Sequence, residues 1–312
     1  MRREKSGLTV IEILVVVSII AILIGILVPA LTMVKDSAKR VKQHAQFTAI
    51  DLGLAAFRND YGDYPPSEWF VPARGGLQNY CGAQKLAEAL LGWDLLGFHP
   101  ESSWRADGLG ADNLGRPVPN TVYAAPNTLD KRRDRYIELE TANAFYLGEL
   151  FANPQPLAPK THVLCDVFDV PGRKIQRANG DIVNPGTPIL YYRANPASKT
   201  IFEVNAALRA TTDARIYDAR DNAPLAAQGR LADIMNPARI PHKIDPSHPA
   251  NADATEVADP SDEFPYFYQR YIRDPKVQAR FWPYRPDSYL LISAGPDGWY
   301  GTNDDIRNFG KR

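Results

Sequence analysis

Apolar positions follow two rhythms at the start of this chain. From Leu8 to Leu31 (LTVIEILVVVSIIAILIGILVPAL) they are almost continuous, broken by a single charge, Glu12. About 20 apolar residues in helical form cross a bilayer core of about 30 Å, so this run predicts a membrane-spanning helix. It exceeds the ~7–15-residue core of a cleavable secretory signal and lacks an A-x-A-like exit, which disfavours a soluble secreted protein. From Thr32 to about Asn59 the apolar residues recur every third or fourth position. One row runs Val34, Ala38, Val41, Ala45, Thr48, Leu52, Ala55, and a second, Phe47, Ile50, Leu54, Phe57, Tyr61, starts only halfway. That spacing predicts an amphipathic helix with a buried stripe, broad in its second half. No Gly/Pro linker separates the two segments, so together they predict one helix of about 50 residues, roughly 75–80 Å long.

Beyond it the pattern fragments. Tyr61–Pro66 (YGDYPP) ends the helix with a glycine and paired prolines. Residues 67–160 read as an elaboration, with short helices expected at Gln84–Leu96 and Thr141–Phe151 between Gly/Pro/Asn-rich loops. Trp69, Trp93 and Trp104 read as core anchors, and Lys131–Arg135 (KRRDR) as a solvated helix start. Strand patterns follow at His162–Phe168, Pro188–Ala194 and Thr200–Val204, and a last one at Asp287–Ala294. Between them, residues 236–263 hold five prolines with scattered Asp and His and predict a mobile surface loop, with His242 and His248 in solvent. The expected class is α+β: a long N-terminal helix packed on a small antiparallel sheet.

Composition changes this picture little. The 36 basic residues balance 36 acidic ones, so nothing points to nucleic acid. Cys81 and Cys165 are far apart in sequence and read either as one disulfide or as two buried thiols.

Glu12 is the first residue that asks for a function. A charge in a membrane helix costs about 2.5–3.5 kcal/mol at the bilayer centre, although a place near one end softens this. Lys5-Ser6-Gly7, followed by Leu8-Thr9-Val10-Ile11-Glu12 and a long apolar run with Pro29, resembles the head of type IV prepilins. The resemblance implies cleavage by a prepilin peptidase after Gly7 and N-methylation of the new terminus, Leu8, where the family usually has phenylalanine. Glu12 and Pro29 stand fifth and twenty-second from Leu8, where the family carries those residue types. In a fibre the Glu12 carboxylate of one subunit would neutralise the terminal amine of its neighbour and set the axial register. Pro29, with Gly25 four residues before it, is expected to kink or melt the helix. Basic residues flank both ends of the span, so charge alone does not orient it. The resemblance places the head in the cytoplasm and the bulk in the periplasm.

The second informative stretch is Ser293–Ile306, SAGPDGWYGTNDDI. Three glycines free the backbone, while Asp297, Asn303, Asp304 and Asp305 bring side-chain oxygens into one loop. Hard cations such as Ca²⁺ take six to eight oxygens. An EF-hand does not fit, and on spacing alone a polar hairpin with a D-G turn fits better than a calcium site. The stretch also resembles the C-terminal calcium loop of the major pseudopilins of type II secretion, the protein G family. That resemblance implies structural Ca²⁺ held by Asp297, Asp304 and Asp305, with the backbone carbonyls of Ala294, Trp299 and Thr302. Loss of the ion is then expected to disorder the loop.

The expected organisation is a leader at 1–7, a transmembrane and assembly helix at 8–31, its amphipathic continuation at 32–60, and a periplasmic globular domain at 61–312. Within the last, 67–160 and 205–285 are insertions, because family members are about half this length, and 293–306 is the acidic loop. The resemblance implies a structural subunit that forms a helical homo-oligomeric fibre driving secretion. It also implies the inner membrane before assembly, a prepilin peptidase, inner-membrane secretion assembly proteins and minor pseudopilins as partners. A large minor pseudopilin or a type IV pilus subunit is the neighbouring alternative. No H-E-x-x-H, G-x-S-x-G, phosphate loop or C-x-x-C occurs, and the five histidines do not cluster. An enzyme is therefore not expected; a membrane-anchored periplasmic enzyme or binding protein, with its site in 67–285, is the competing class.

Overall fold

The computed structural model describes residues 9–68, 80–111, 117–118, 122–151, 156–177, 180–198, 215–236, 238–249, 266–280 and 282–310. Gly7, Leu8, Trp69 and the strand expected at Thr200–Val204 lie outside them. The architecture is α+β. Helix α1 (Val10–Tyr61) is followed by α2 (Gly82–Leu91), α3 (Leu139–Ala142), α4 (Leu147–Leu150) and α5 (Ala223–Ala226). Three antiparallel two-stranded pairs join β1 (Gly110–Ala111) to β2 (Pro117–Val118), β3 (Ala144–Tyr146) to β4 (His162–Leu164), and β5 (Ile175–Gln176) to β6 (Ile182–Val183). A three-stranded antiparallel sheet runs β7 (Leu190–Arg193), β8 (Tyr289–Ser293), β9 (Ile306–Arg307).

The chain divides into two compact units, 1–42 and 43–312. In the first, no described residue is buried, and the whole apolar run of Val10–Leu31 stands exposed. Among the described residues α1 is the one helix long and apolar enough to cross a membrane, by length and composition. Its backbone is helical through Pro29, and the Thr32 hydroxyl donates to the Pro29 carbonyl at 2.7 Å. The helix therefore does not melt there.

In the second unit, α1 buries Gln43, Gln46, Phe47, Ile50, Gly53, Leu54 and Phe57. This is the later of the two rows expected from sequence. The earlier row is exposed throughout, including Val34, Val41 and Leu52. Positions two apart, such as Thr48 and Ile50, are about 200° apart around a helix, so burying one row turns the other outward. Gly62, at φ +85°, ends the helix by donating to the Arg58 carbonyl at 2.7 Å. The chain then turns so that Tyr64 packs edge-on against Tyr289, and Tyr191 Oη donates to the Pro65 carbonyl at 2.7 Å.

The β7–β8 register pairs Leu190 with Ile292, Tyr191 with Leu291, Tyr192 with Leu290 and Arg193 with Tyr289. Side chains alternate across a strand, so the sheet has two faces. Tyr191, Tyr289 and Leu291 share a core with Phe47, Ile50 and Leu54 of α1 and Leu86, Leu90 and Leu91 of α2. Leu190, Tyr192, Leu290 and Ile292 lie in another with Phe145, Leu225, Phe267, Tyr268 and Tyr300. Much of that second cover comes from residues read as insertions. They complete the core rather than decorate it. All ten residues of α2 are buried, Gln84, Lys85 and Glu88 included. The Glu88 carboxylate accepts from Tyr80 Oη at 2.7 Å, Tyr123 Oη at 2.9 Å and the Ser102 hydroxyl.

Other local expectations change for identifiable reasons. α2 stops at Leu91, where Gly92 takes φ +86° and its N–H donates to Glu88 O at 2.7 Å. The helix expected over Thr141–Phe151 is divided by β3. Asn143 adopts the left-handed conformation, φ +50°, and its Nδ2 donates to the Asp166 carbonyl at 2.8 Å, which frees Ala144–Tyr146 to pair with β4. Arg132 of the KRRDR run is not solvated: its side chain is 1% exposed and grips Asp94 at 2.6 and 2.8 Å. Cys81 and Cys165 are buried free thiols. Trp104 is half-buried in the aromatic cluster of Phe57, Phe98, Tyr61 and Tyr136, and Trp93 Nε1 donates to Ala106 O at 3.2 Å.

Candidate functional site

The head of α1 and the acidic loop are the two stretches that the sequence singles out. At the head, α1 begins at Val10, so Thr9 is the N-cap and Glu12 the third helical residue. Glu12 Oε2 accepts from Thr9 N at 2.8 Å and Thr9 Oγ1 at 2.9 Å, while Glu12 N donates to Thr9 Oγ1 at 3.3 Å. This is the reciprocal capping box, in which two otherwise orphaned backbone donors are satisfied. Its signal, Thr-x-x-Glu, stands in the sequence as Thr9-Val10-Ile11-Glu12. The carboxylate thus has a partner within its own chain, besides the intersubunit role that the sequence resemblance leads one to expect.

The acidic loop leaves β8 at Ser293 and returns as β9. Ser293 Oγ donates to Asp166 Oδ2 at 2.9 Å and accepts from Gly295 N at 3.2 Å. Asp166 is buried, and its Oδ1 also accepts from Thr187 N at 3.0 Å and Phe168 N at 3.2 Å. Burial outweighs these donors and pushes its carboxyl up to about 7. Inside the loop, Asp297 Oδ1 accepts from Trp299 N at 2.7 Å, and Asp304 Oδ2 from Asp297 N at 3.0 Å. Burial raises the Asp297 carboxyl above its ordinary range, with the neighbouring Asp304 carboxyl adding to the shift. Asp305 Oδ2 accepts from Gly301 N at 2.8 Å and from the Tyr271 hydroxyl, and burial pushes its carboxyl up to about 7. The Thr302 hydroxyl donates to Asp304 Oδ1 and lies 3.3 Å from Asp305 Oδ1 and 3.4 Å from the Trp299 carbonyl.

Two adjacent carboxylates, a threonine hydroxyl and nearby carbonyls form an all-oxygen set whose chemistry suits a hard cation. The arrangement differs from a closed shell. Among the described residues no three His, Cys, Asp or Glu side chains converge as metal ligands. Asp297 and Asp304 come together, whereas Asp305 Oδ2 is turned toward Tyr271 and Gly301.

Segments given no functional weight by the sequence press on this loop. His242 is buried rather than solvated: Tyr300 N donates to its Nδ1 at 3.1 Å, and its ring packs on Tyr300 at 4.4 Å and Trp299 at 5.4 Å. Burial pushes its imidazole down to about 3, so it is neutral. Residues 238–249 are accordingly part of the packed body, with Ile244 and Asp245 buried as well. Arg230 lies over the Trp299 ring at 5.4 Å, and its Nη1 donates to the Asp297 carbonyl at 3.4 Å. No local pattern marks these residues, because what selects them is a loop 50 or more positions away.

No family model matches the chain, and no solved structure matches it. A curated protein, the type II secretion system core protein G of Klebsiella michiganensis, is 36% identical over 67 residues, which make up 22% of this chain and 47% of that protein. The chain thus spans about half the length of the curated relative it matches. The similarity is partial, and it is to a secretion protein.

Proposed function

We propose that this chain is a pilin-like structural subunit of a type II secretion apparatus. It is cut after Gly7 by a prepilin peptidase, N-methylated at Leu8, and assembled through α1 into a periplasmic fibre. The bulk of the chain lies outside the inner membrane, and minor pseudopilins and inner-membrane assembly proteins are its partners. The observation that carries the reading is α1, a 52-residue helix whose apolar first half is exposed and holds one carboxylate, Glu12, near its start. Exposed apolar surface of that extent needs lipid or other subunits around it. The partial likeness to a secretion protein supports the same reading.

Mass spectrometry of the protein from cells with an active prepilin peptidase is expected to show an N-methylated chain starting at Leu8; a chain still starting at Met1 overturns the proposal. Glu12 supplies a sharper test, because its cap and its charge can be separated. Glu12→Gln keeps the capping box, which accepts glutamine, but removes the charge. Thr9→Ala keeps the charge and costs the cap about 1 kcal/mol. Fibre assembly is expected to be lost in Glu12→Gln and nearly normal in Thr9→Ala. Equal, mild effects would reduce Glu12 to a helix cap.

We further propose that Asp297, Asp304 and Asp305, with the carbonyls of Ala294, Trp299 and Thr302, hold a structural Ca²⁺. Neutralising the Asp297–Asp304 pair would remove like-charge crowding. Chelation is then expected to lower the melting temperature by about 5 °C, and Asp304→Ala to abolish the calcium dependence. A melting curve indifferent to calcium in the wild-type protein removes the metal from the reading.

A further inference from the structure

The acidic loop is gripped from outside along its length. Arg230 Nη1 reaches the Asp297 carbonyl at 3.4 Å, and its guanidinium covers Trp299. His242 Nδ1 receives the Tyr300 N–H at 3.1 Å, and Tyr266 Oη donates to the Gly301 carbonyl at 2.7 Å. Tyr271 donates its hydroxyl to Asp305. The approach is close enough to dictate residue type: a Cβ on Gly301, which sits at φ +95°, would lie 3.0 Å from Lys243 Cβ and 3.2 Å from Ile244 N. Below the loop, Ser293 is tied to buried Asp166, and Tyr300 donates its hydroxyl to the Pro188 carbonyl. Partners outside the loop thus hold the carbonyls of Asp297 and Gly301, the Tyr300 N–H and the Asp305 carboxylate.

We propose that Arg230, His242, Tyr266 and Tyr271 are positioning residues that brace the acidic loop, so that it keeps its backbone path whether or not an ion is bound. This rests on reading 293–306 as the calcium loop, and in place of the disorder expected from sequence it gives the loop a backbone path set before any ion binds. The hydrogen bond from the half-buried Tyr266 hydroxyl to the Gly301 carbonyl resists opening independently of electrostatics inside the loop. An ion binding to a loop whose backbone path is already set would order little additional chain, and only the carboxylates would have to turn toward it. The same contacts explain why much of the region read as insertion is packed: part of it serves as a buttress for the loop.

Hydrogen exchange on the full chain, read by mass spectrometry with Ca²⁺ and with EGTA, tests this. In EGTA the amides of Trp299, Tyr300 and Gly301 are expected to stay protected, within about tenfold of their rates in Ca²⁺. Tyr266→Phe and His242→Ala are expected to speed their exchange about tenfold or more in both buffers, while the Leu290–Ile292 amides of β8 keep their wild-type rates. That contrast separates a brace on the loop from general loss of stability. If His242→Ala does not fold, Tyr266→Phe, which loses one hydroxyl, decides. Full exposure of the wild-type loop in EGTA, or wild-type loop exchange in Tyr266→Phe, overturns the brace. Ca²⁺ titration calorimetry reads the other question: absent heat removes the calcium reading and leaves a protected loop in EGTA as evidence for the brace.

Discussion

Gly82→Ala is expected to destabilise the body by about 3–5 kcal/mol, a drop in melting temperature of about 10 °C, despite alanine being the better helix former by about 1 kcal/mol. Gly82 opens α2 where that helix meets β7. A Cβ placed on it would lie 2.3 Å from the Tyr191 carbonyl oxygen, 3.0 Å from Asn222 Nδ2 and 3.2 Å from Ser67 Cβ. The first of these is a backbone atom of a strand paired to β8 along four residues, so it cannot yield without moving the sheet. Around it, Asn222 Nδ2 donates to that carbonyl at 2.7 Å and Asn222 Oδ1 accepts from Ala83 N at 2.9 Å, so the added methyl also threatens a buried amide bridge. Overpacking typically costs about 1–3 kcal/mol, and the loss of buried hydrogen bonds adds to it. A variant that melts within about 2 °C of wild type would show that α2 and β7 are not in the contact described.

Asp166→Asn is expected to raise stability at pH 8 and to remove a pH-dependent slope. The folded-state carboxyl titrates at about 7 against an ordinary value of 3.8. Between those two values the folded protein holds a proton that the unfolded chain has lost. The contribution of Asp166 to stability therefore falls as pH rises through that window and is level above it. The full shift corresponds to at most ~4 kcal/mol, and relaxation of the surroundings will reduce it. Asparagine keeps the Oδ1 that accepts from Thr187 N and Phe168 N, and its amide can donate to Ser293 Oγ in place of the present bond. In the ion-free protein Asp305, also raised to about 7, contributes a slope of the same sign, so the informative quantity is the difference between wild type and variant across pH 4–8 in EGTA. A difference that stays flat would mean that Asp166 titrates as an ordinary carboxylate.

How much of this was legible depends on whether the physical cause was local. The membrane-length run, the helix end at Gly62 and the strand cores at Leu190–Arg193 and Tyr289–Ser293 could be read because each rests on composition or a short-range period. The cap on Glu12 was equally local and is written as Thr-x-x-Glu. By contrast, α2 carries Gln84, Lys85 and Glu88 and has the polarity of a surface helix, yet it is wholly buried. Its charges are accommodated by remote donors: Tyr80, Ser102 and Tyr123 reach Glu88, and Lys85 Nζ donates to the Glu68 carbonyl. Polar side chains can be buried when their hydrogen bonds are met, and where those partners come from is not a local property. His242, expected in solvent from its proline-rich surroundings, is buried for the same reason.

By itself the sequence determined that the chain carries one apolar helix with a carboxylate at its head, an α+β body, and a glycine-rich acidic loop near the end. These depend on hydrophobic content, periodicity and residue type over a few turns or one hairpin. Only the tertiary structure decided which row of α1 is buried, that both faces of the β7–β8–β9 sheet are covered, and that Arg230, His242, Tyr266 and Tyr271 close on the acidic loop. Those outcomes turn on which distant segments exclude water together, and burial between segments far apart in the chain leaves no short-range signature in either of them.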